Sequence, residues 1–245
     1  MPIELASWLI LLLPLSTFLI IGVVIRPFLT SLSNKSGYLA ALAIAGSLVF
    51  SLWILRHLAS NEGAIFQVSY SWFSVGNLEI PFGILMDPLT VIMLIVVTSV
   101  SLMIQIYSFG YMRHNTDAYG KTSDSKGYTR YFAYMSLFTA SMIGLVLASS
   151  IIQLYFFWEL VGLSSYLLIG FWYHRPSAAA AAKKAFIITR LGDFGFLLAI
   201  LYLFMNQEAF LLQGLSPFEI EHIQLLVSPE KSAAVGLIAL APAIV

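Results

Sequence analysis

Residues 151–171 read IIQLYFFWELVGLSSYLLIGF, twenty-one positions that are apolar almost throughout, with one charge, Glu159, near the centre. A helix of that length rises roughly 30 Å at about 1.5 Å per residue, which matches the hydrocarbon thickness of a bilayer. Apolar side chains lie on every face, so no side is left for water, and the stretch predicts a membrane-spanning helix. A carboxyl group at the middle of such a helix costs about 2.5–3.5 kcal/mol on insertion scales, so Glu159 needs a partner, an aqueous path, or a use.

Working outward, five further runs have the length and composition to span, at about 5–26, 37–58, 87–109, 130–148 and 182–205. A seventh begins near 232 and reaches Val245, too short to cross. The expected fold is an all-α integral membrane protein, a bundle of six transmembrane helices plus a truncated seventh, forming one transmembrane domain over 1–245. The seventh run stops inside an apolar stretch, which leads us to expect the N-terminal fragment of a longer subunit. Composition agrees: 60% of the 245 residues are apolar, 10% are charged, and mean hydropathy is +0.90. The first run carries Glu4 where a signal peptide has basic residues, and it exceeds the length of a signal core, so it reads as a retained helix.

Between the second and third runs, Phe66, Val68, Tyr70 and Trp72 alternate with Gln67, Ser69 and Ser71. Gly76-Asn77 then supplies a two-residue turn before Leu78 and Ile80, predicting a β-hairpin over about 65–80. Asp87-Pro88 starts the third helix with an N-cap residue and a proline at the first helical position, which gives Asp87 a structural role. Only Ser149 and Ser150 join the fourth and fifth helices, so these must be antiparallel neighbours. Arg26, Lys35, Arg113, Lys121, Lys126, Arg130, Arg175, Lys183 and Lys184 fall on one side of the bundle, against Arg56 and Lys231 on the other. The basic side is expected inside, with the N-terminus and the hairpin outside.

A formal net charge of zero with no basic block gives no electrostatic footprint for nucleic acid. The absence of cysteine excludes thiolate-ligated clusters and disulfides from this sequence. His57, His114, His174 and His222 fall at or between the ends of apolar runs, so they offer no facing pair for haem or a metal.

Three ionisable residues lie near the middle of predicted helices: Glu159 in the fifth, and Arg190 and Asp193 in the sixth. Arg190 and Asp193 are three apart on one helix face, a spacing that suits an intrahelical ion pair and leaves structural and functional roles both open. Glu159 has no opposite charge within four residues, so its partner must come from another helix or another chain. Lys183 and Lys184 sit at the inner mouth of the sixth helix, where their stems can snorkel to the interface. Trp158, Tyr166, Trp172 and Tyr173 read as interfacial or lipid-facing aromatics rather than a cofactor box.

The run from Phe156 to Trp172 resembles the fifth helix of the antiporter-like subunits of respiratory complex I, and Lys184 to Asp193 resembles the sixth helix of the largest, most distal of them. Met86-Asp87-Pro88-Leu89-Thr90 and the stretch from Tyr131 to Ala148 fit the same subunit type, so the resemblance covers the sequence to about residue 205. It implies a proton-pumping membrane subunit of NADH:quinone oxidoreductase, with two inverted five-helix repeats and a broken helix in each. No cofactor is implied for this chain; FMN, iron–sulfur clusters and quinone would belong to partner subunits. By resemblance, Glu159 matches the key glutamate of the first half-channel, Arg190 and Asp193 match the charged pair of the sixth helix, and Lys184 joins them at the mouth of the expected proton path. The hairpin resembles the outer element that ties adjacent antiporter-like subunits together, so the expected partners are other membrane subunits and the bilayer.

The sequence departs from the family at its end, where the seventh helix carries a lysine that partners the glutamate; Ala233 to Val245 contains none. With the second repeat also lacking, the fragment is expected to be incompetent as a pump. A subunit of a multisubunit Na+/H+ antiporter is the alternative reading, and a truncated product with a structural role is a third. NADH or ferredoxin could be the electron donor. The expected location is the bacterial plasma membrane, with thylakoid and mitochondrial inner membrane as alternatives.

Overall fold

The computed structural model describes residues 2–60, 65–75, 78–114, 125–207, 210 and 215–227. Helix α1 (Ile3–Leu19) continues through a π-helical stretch, Ile20–Ile25, and a last turn, Arg26–Phe28. Then follow α2 (Ser36–Ser60), strands β1 (Phe66–Val75) and β2 (Leu78–Met86), α3 (Pro88–His114), α4 (Ser125–Val146), α5 (Ile151–Ile169), α6 (Pro176–Met205) and the short α7 (Ile220–Val227). The seventh apolar run expected from about 232 lies outside the described residues.

Pro14 interrupts α1 because it has no N–H to give to the carbonyl four residues back, that of Ile10. Ser47 of α2 fills the vacancy: its hydroxyl donates to Ile10 O at 3.0 Å and also reaches Ala43 O at 3.2 Å. The proline that weakens one helix thus creates the polar contact that fixes its neighbour. Asp87 caps α3 as expected, its Oδ1 accepting from the Thr90 N–H at 2.6 Å.

Among the described residues, five helices are long and apolar enough to cross a membrane: Ile3–Phe28, Leu32–Ser60, Pro88–Met112, Ile151–Ile169 and Pro176–Met205. Helix α4 is the exception, at 22 residues long enough but less apolar. Its position explains its composition. It packs against α1, α2, α3 and α5, and its Ser136, Thr139 and Ser141 are buried against protein. Thr139 is hydrogen-bonded to Ser101 of α3 at 2.5 Å, and Tyr131 to Ser108 at 3.0 Å. A central helix that meets protein on most sides can carry hydroxyls that a lipid-facing helix cannot. Apolar clusters lie at the two ends of the bundle, one around Ile10, Ile54, Met86, Leu94 and Ile143, the other around Ile21, Ala40, Met112, Phe132 and Phe171.

The hairpin extends further than expected. Strand β2 runs on to Met86, with Phe66 opposite Met86 and Val75 opposite Leu78, and the register shifts around Trp72. Residues 81–86 read as the approach to a helix because Pro81, Gly83 and a continuous apolar run obscure the alternation. They form a strand because the α4–α5 junction supplies partners. The Leu85 N–H donates to Leu147 O at 3.0 Å, Ser150 Oγ donates to Pro81 O at 2.8 Å, and the Gln153 amide bonds both backbone groups of Gly83, at 3.0 and 2.9 Å. A Cβ on Gly83 would collide with the backbone of Val68 and Ser69. On its other edge the junction pairs with the segment before α7: Ile151 N donates to Phe218 O at 2.9 Å and Ile220 N to Ser149 O at 3.1 Å. The link between two antiparallel helices is therefore bridged to β2 on one side and to the segment before α7 on the other, Ile84 with Ala148 and Ser150 with Glu219. Helix starts also differ from expectation. Helix α4 begins at Ser125 rather than 130, and α6 at Pro176 rather than 182, because a proline suits the first turn of a helix.

Candidate functional site

The site lies where α5 meets α6. Trp158, Val161, Gly162, Ser165, Tyr166 and Ile169 recur at helical spacing along α5, and Ala185, Phe186, Thr189, Gly192, Asp193 and Phe196 do so along α6. With Met142 and Leu145 of α4 the two faces line a half-open cavity of about 580 Å³. Ring contacts join the two helices beside it, Tyr166 with Phe186 at 5.2 Å and Tyr155 edge-on to Phe196 at 5.3 Å.

Arg190 lies beside this cavity. Its guanidinium forms an ion pair with the Glu159 carboxylate, donates from Nη2 to the Glu159 backbone carbonyl at 3.2 Å, and stacks over the Phe186 ring at 4.7 Å. Its distance to Asp193 Oδ2 is 3.8 Å. The intrahelical pair suggested by sequence spacing is present but long, and the close contact is across helices. Gly162 makes room for it: a Cβ there would lie 3.3 Å from Arg190 Nη2.

Asp193 is nearly buried, and its Oδ1 accepts from the indole Nε1 of Trp158 at 2.7 Å. Trp158 is therefore more than the interfacial aromatic expected. Its half-exposed ring faces outward while its one donor serves a carboxylate on the next helix. The structure brings together Glu159, Arg190 and Asp193 and adds Trp158. Lys184 is exposed, about 9 Å along the α6 axis from Arg190, and does not join the cluster. Sequence spacing gave no sign of Trp158, because a tryptophan in an apolar helix has the same signature whether its N–H meets a headgroup or a carboxylate.

Chemically the cluster holds two carboxyl groups and one guanidinium. Arginine does not release its proton, so any proton exchanged here must sit on a carboxyl oxygen or on water. With all three groups ionised the cluster carries one unbalanced negative charge, which a bound proton would remove.

Comparison with known proteins is decisive for the family. Residues 72–132 match the family described as NADH-Ubiquinone oxidoreductase (complex I), chain 5 N-terminus, and residues 148–244 match NADH:quinone oxidoreductase/Mrp antiporter, TM. The chain belongs to the antiporter-like subunits of complex I. It is 47% identical over 198 residues to the chloroplastic NAD(P)H-quinone oxidoreductase subunit 5 of Anthoceros angustus, covering 80% of this chain and 26% of that protein. The corresponding protein of Lemna minor is 46% identical over 198 residues, covering 80% of this chain and 25% of the relative. This antiporter-like chain thus spans about a quarter of the length of the curated relatives it matches.

Among solved structures, the fold resembles a chain of the Mrp complex from Dietzia sp., with a TM-score of 0.65 and 24% identity over 96% of this chain and 23% of that one. It also resembles a chain of an archaeal membrane-bound sulfane sulfur reductase, with a TM-score of 0.62 and 14% identity over 81% of this chain and 37% of that one. These likenesses concern the antiporter-like fold alone.

Proposed function

We propose that this antiporter-like chain takes part in proton translocation within the membrane arm of an NADH:quinone oxidoreductase, with Glu159 as the proton-carrying group of its first half. The observation that supports this most is the contact of Arg190 with Glu159 across α5 and α6. Arginine keeps its proton, so in this pair only the carboxyl can take up and release one. Arg190 positions the Glu159 carboxyl, Asp193 adds a second carboxyl beside the same cation, and Lys184 serves at the mouth of the path.

The same reading takes α4 as a sixth spanning helix, its hydroxyls shielded by its neighbours, and puts the basic loops on the side that supplies protons. Electron transfer from NADH or ferredoxin to quinone, with FMN and iron–sulfur clusters, falls to partner subunits, and the hairpin lies at the contact with a neighbouring antiporter-like subunit. The location is an energy-coupling membrane; bacterial plasma membrane and thylakoid both fit, and the chloroplastic relatives add weight to the second.

Glu159→Gln in the full-length parent tests the role, because glutamine keeps volume and hydrogen bonding while losing the titratable group. Proton pumping in proteoliposomes should fall while the complex still assembles. Wild-type pumping by the variant refutes the role. The Na+/H+ antiporter alternative draws support from the Mrp likeness, and it predicts Na+-dependent proton exchange without co-purifying NADH or ferredoxin oxidation.

A further inference from the structure

A second cavity, of about 340 Å³, opens on the face of the bundle where α5 ends and α6 begins, within the size range of small-molecule sites. Arg130 and Lys183 supply two cations to its lining, Tyr134, Tyr166 and Tyr173 supply phenols, and Ala182 is part of its lining. Arg130 is only partly used. Its Nη2 donates to Phe171 O at 3.2 Å and its guanidinium lies 4.8 Å from the Phe171 ring and 5.3 Å from the Tyr173 ring, but its buried Nε has no hydrogen-bond partner among the described residues. A guanidinium has five N–H donors, so among the described residues its Nε is left for an acceptor in the cavity.

We propose that this cavity binds the phosphodiester headgroup of an anionic phospholipid. Two cations and tyrosine hydroxyls suit a phosphate oxygen. The site lies at the end of apolar helices, the level at which headgroups sit, and Lys183 and Tyr173 are exposed at its rim. A free anion has no use for what lies next to the mouth. Tyr166 lines both this cavity and the 580 Å³ apolar cavity between α5 and α6, so an acyl chain attached to the phosphate can run past Tyr166 between the helices. The headgroup contacts themselves do not involve Glu159.

The test uses the intact chain in phosphatidylcholine nanodiscs with a spin-labelled phosphatidylglycerol or phosphatidylcholine probe. The motionally restricted fraction should favour phosphatidylglycerol, and Lys183→Gln should reduce that preference about fivefold, the effect of losing one direct hydrogen bond to the phosphate. Arg130→Gln should reduce it further, but because Arg130 also holds Phe171 O, Lys183→Gln carries the decision. Lys35→Gln removes an exposed cation at the start of α2, away from the cavity, and should leave the preference unchanged. Three results would overturn the proposal: equal retention of the two lipids, an equal loss with Lys35→Gln, or displacement of phosphatidylglycerol by millimolar inorganic phosphate, which would make this a site for free anions.

Discussion

The indole nitrogen of Trp158 donates to the carboxylate of Asp193, 2.7 Å away on the next helix, and this bond leaves Arg190 to Glu159. Without it, Asp193 would be free to close its 3.8 Å gap to the guanidinium and compete for it. A double-mutant cycle of Trp158→Phe and Asp193→Ala should give a coupling of about 1 kcal/mol, between the average for interhelical bonds in membranes and that for bonds to charged groups. Unfolding in mixed micelles measures it. A coupling indistinguishable from zero would show that the bond is not made in the bilayer.

Gly162 is the gap through which Arg190 reaches α5. Alanine there gains up to about 1 kcal/mol of helix propensity and displaces the guanidinium by only a few tenths of an ångström, so Gly162→Ala should be near neutral. Leucine fills the gap. Gly162→Leu should reproduce most of the stability loss of Arg190→Ala, and the double variant should be little worse than either, because both remove the same contact. Full additivity in the same unfolding assay would contradict this account.

Arg190→Ala leaves two carboxyl groups with no cation, whereas Asp193→Asn leaves Arg190 paired with Glu159 across the helices, so the first should lower folded yield by more. Arg190→Lys should fall between them: it keeps the charge but cannot hold the Glu159 carboxylate and its backbone carbonyl together as a planar fork does. Yield after detergent extraction and size-exclusion chromatography ranks the three, and equal yields would mean that the cluster is not shielded from water.

Ser47→Ala takes the donor from Ile10 O, the carbonyl that Pro14 leaves without its intrahelical partner. The expected cost is about 1 kcal/mol, and it should vanish when Pro14→Ala restores the missing N–H. The stabilities of the two single variants and the double variant decide it. A Ser47→Ala penalty of the same size in both backgrounds would sink the idea.

Tyr70 of the hairpin donates its phenol proton to Glu4 of α1. That hydrogen bond, then desolvation and the negative charge of Glu4, hold its pKa above the ordinary 10.0. A raised tyrosine pKa means that the tie is present below the unfolded value and is lost as pH rises through the folded one. Phenolate absorbance of the protein minus that of Tyr70→Phe should therefore titrate above pH 10, and a midpoint at or below the ordinary value would show that the tie does not form.

The spans were legible because a lipid solvent demands long apolar runs, and Asp87-Pro88 marked a helix start from local chemistry alone; the Gly76-Asn77 turn lies outside the described residues. What escaped was whatever depended on a neighbour. Helix α4 carries hydroxyls because other helices cover it, and residues 81–86 are extended because Gln153 and Leu147 hold them. Arg190 and Asp193 look paired from their spacing, but the rotation that turns Arg190 to Glu159 is a property of two helices. Trp158 was misjudged for the same reason: its one donor serves a residue thirty-five positions away.

The extended link between α4 and α5 is bonded along both edges, to β2 and to the segment before α7. A rod clamped at one end behaves as a lever. Sliding α5 along its axis or lengthening its link would break those bonds, whereas a tilt about Ser150 would spare them. Displacement then grows with distance from the pivot: small at Gln153, larger at Glu159, and largest at Gly170, beside Phe171 and Arg130. A push applied to the far end of α5 would reach Glu159 reduced but in phase, with the hairpin standing still as the frame against which it moves.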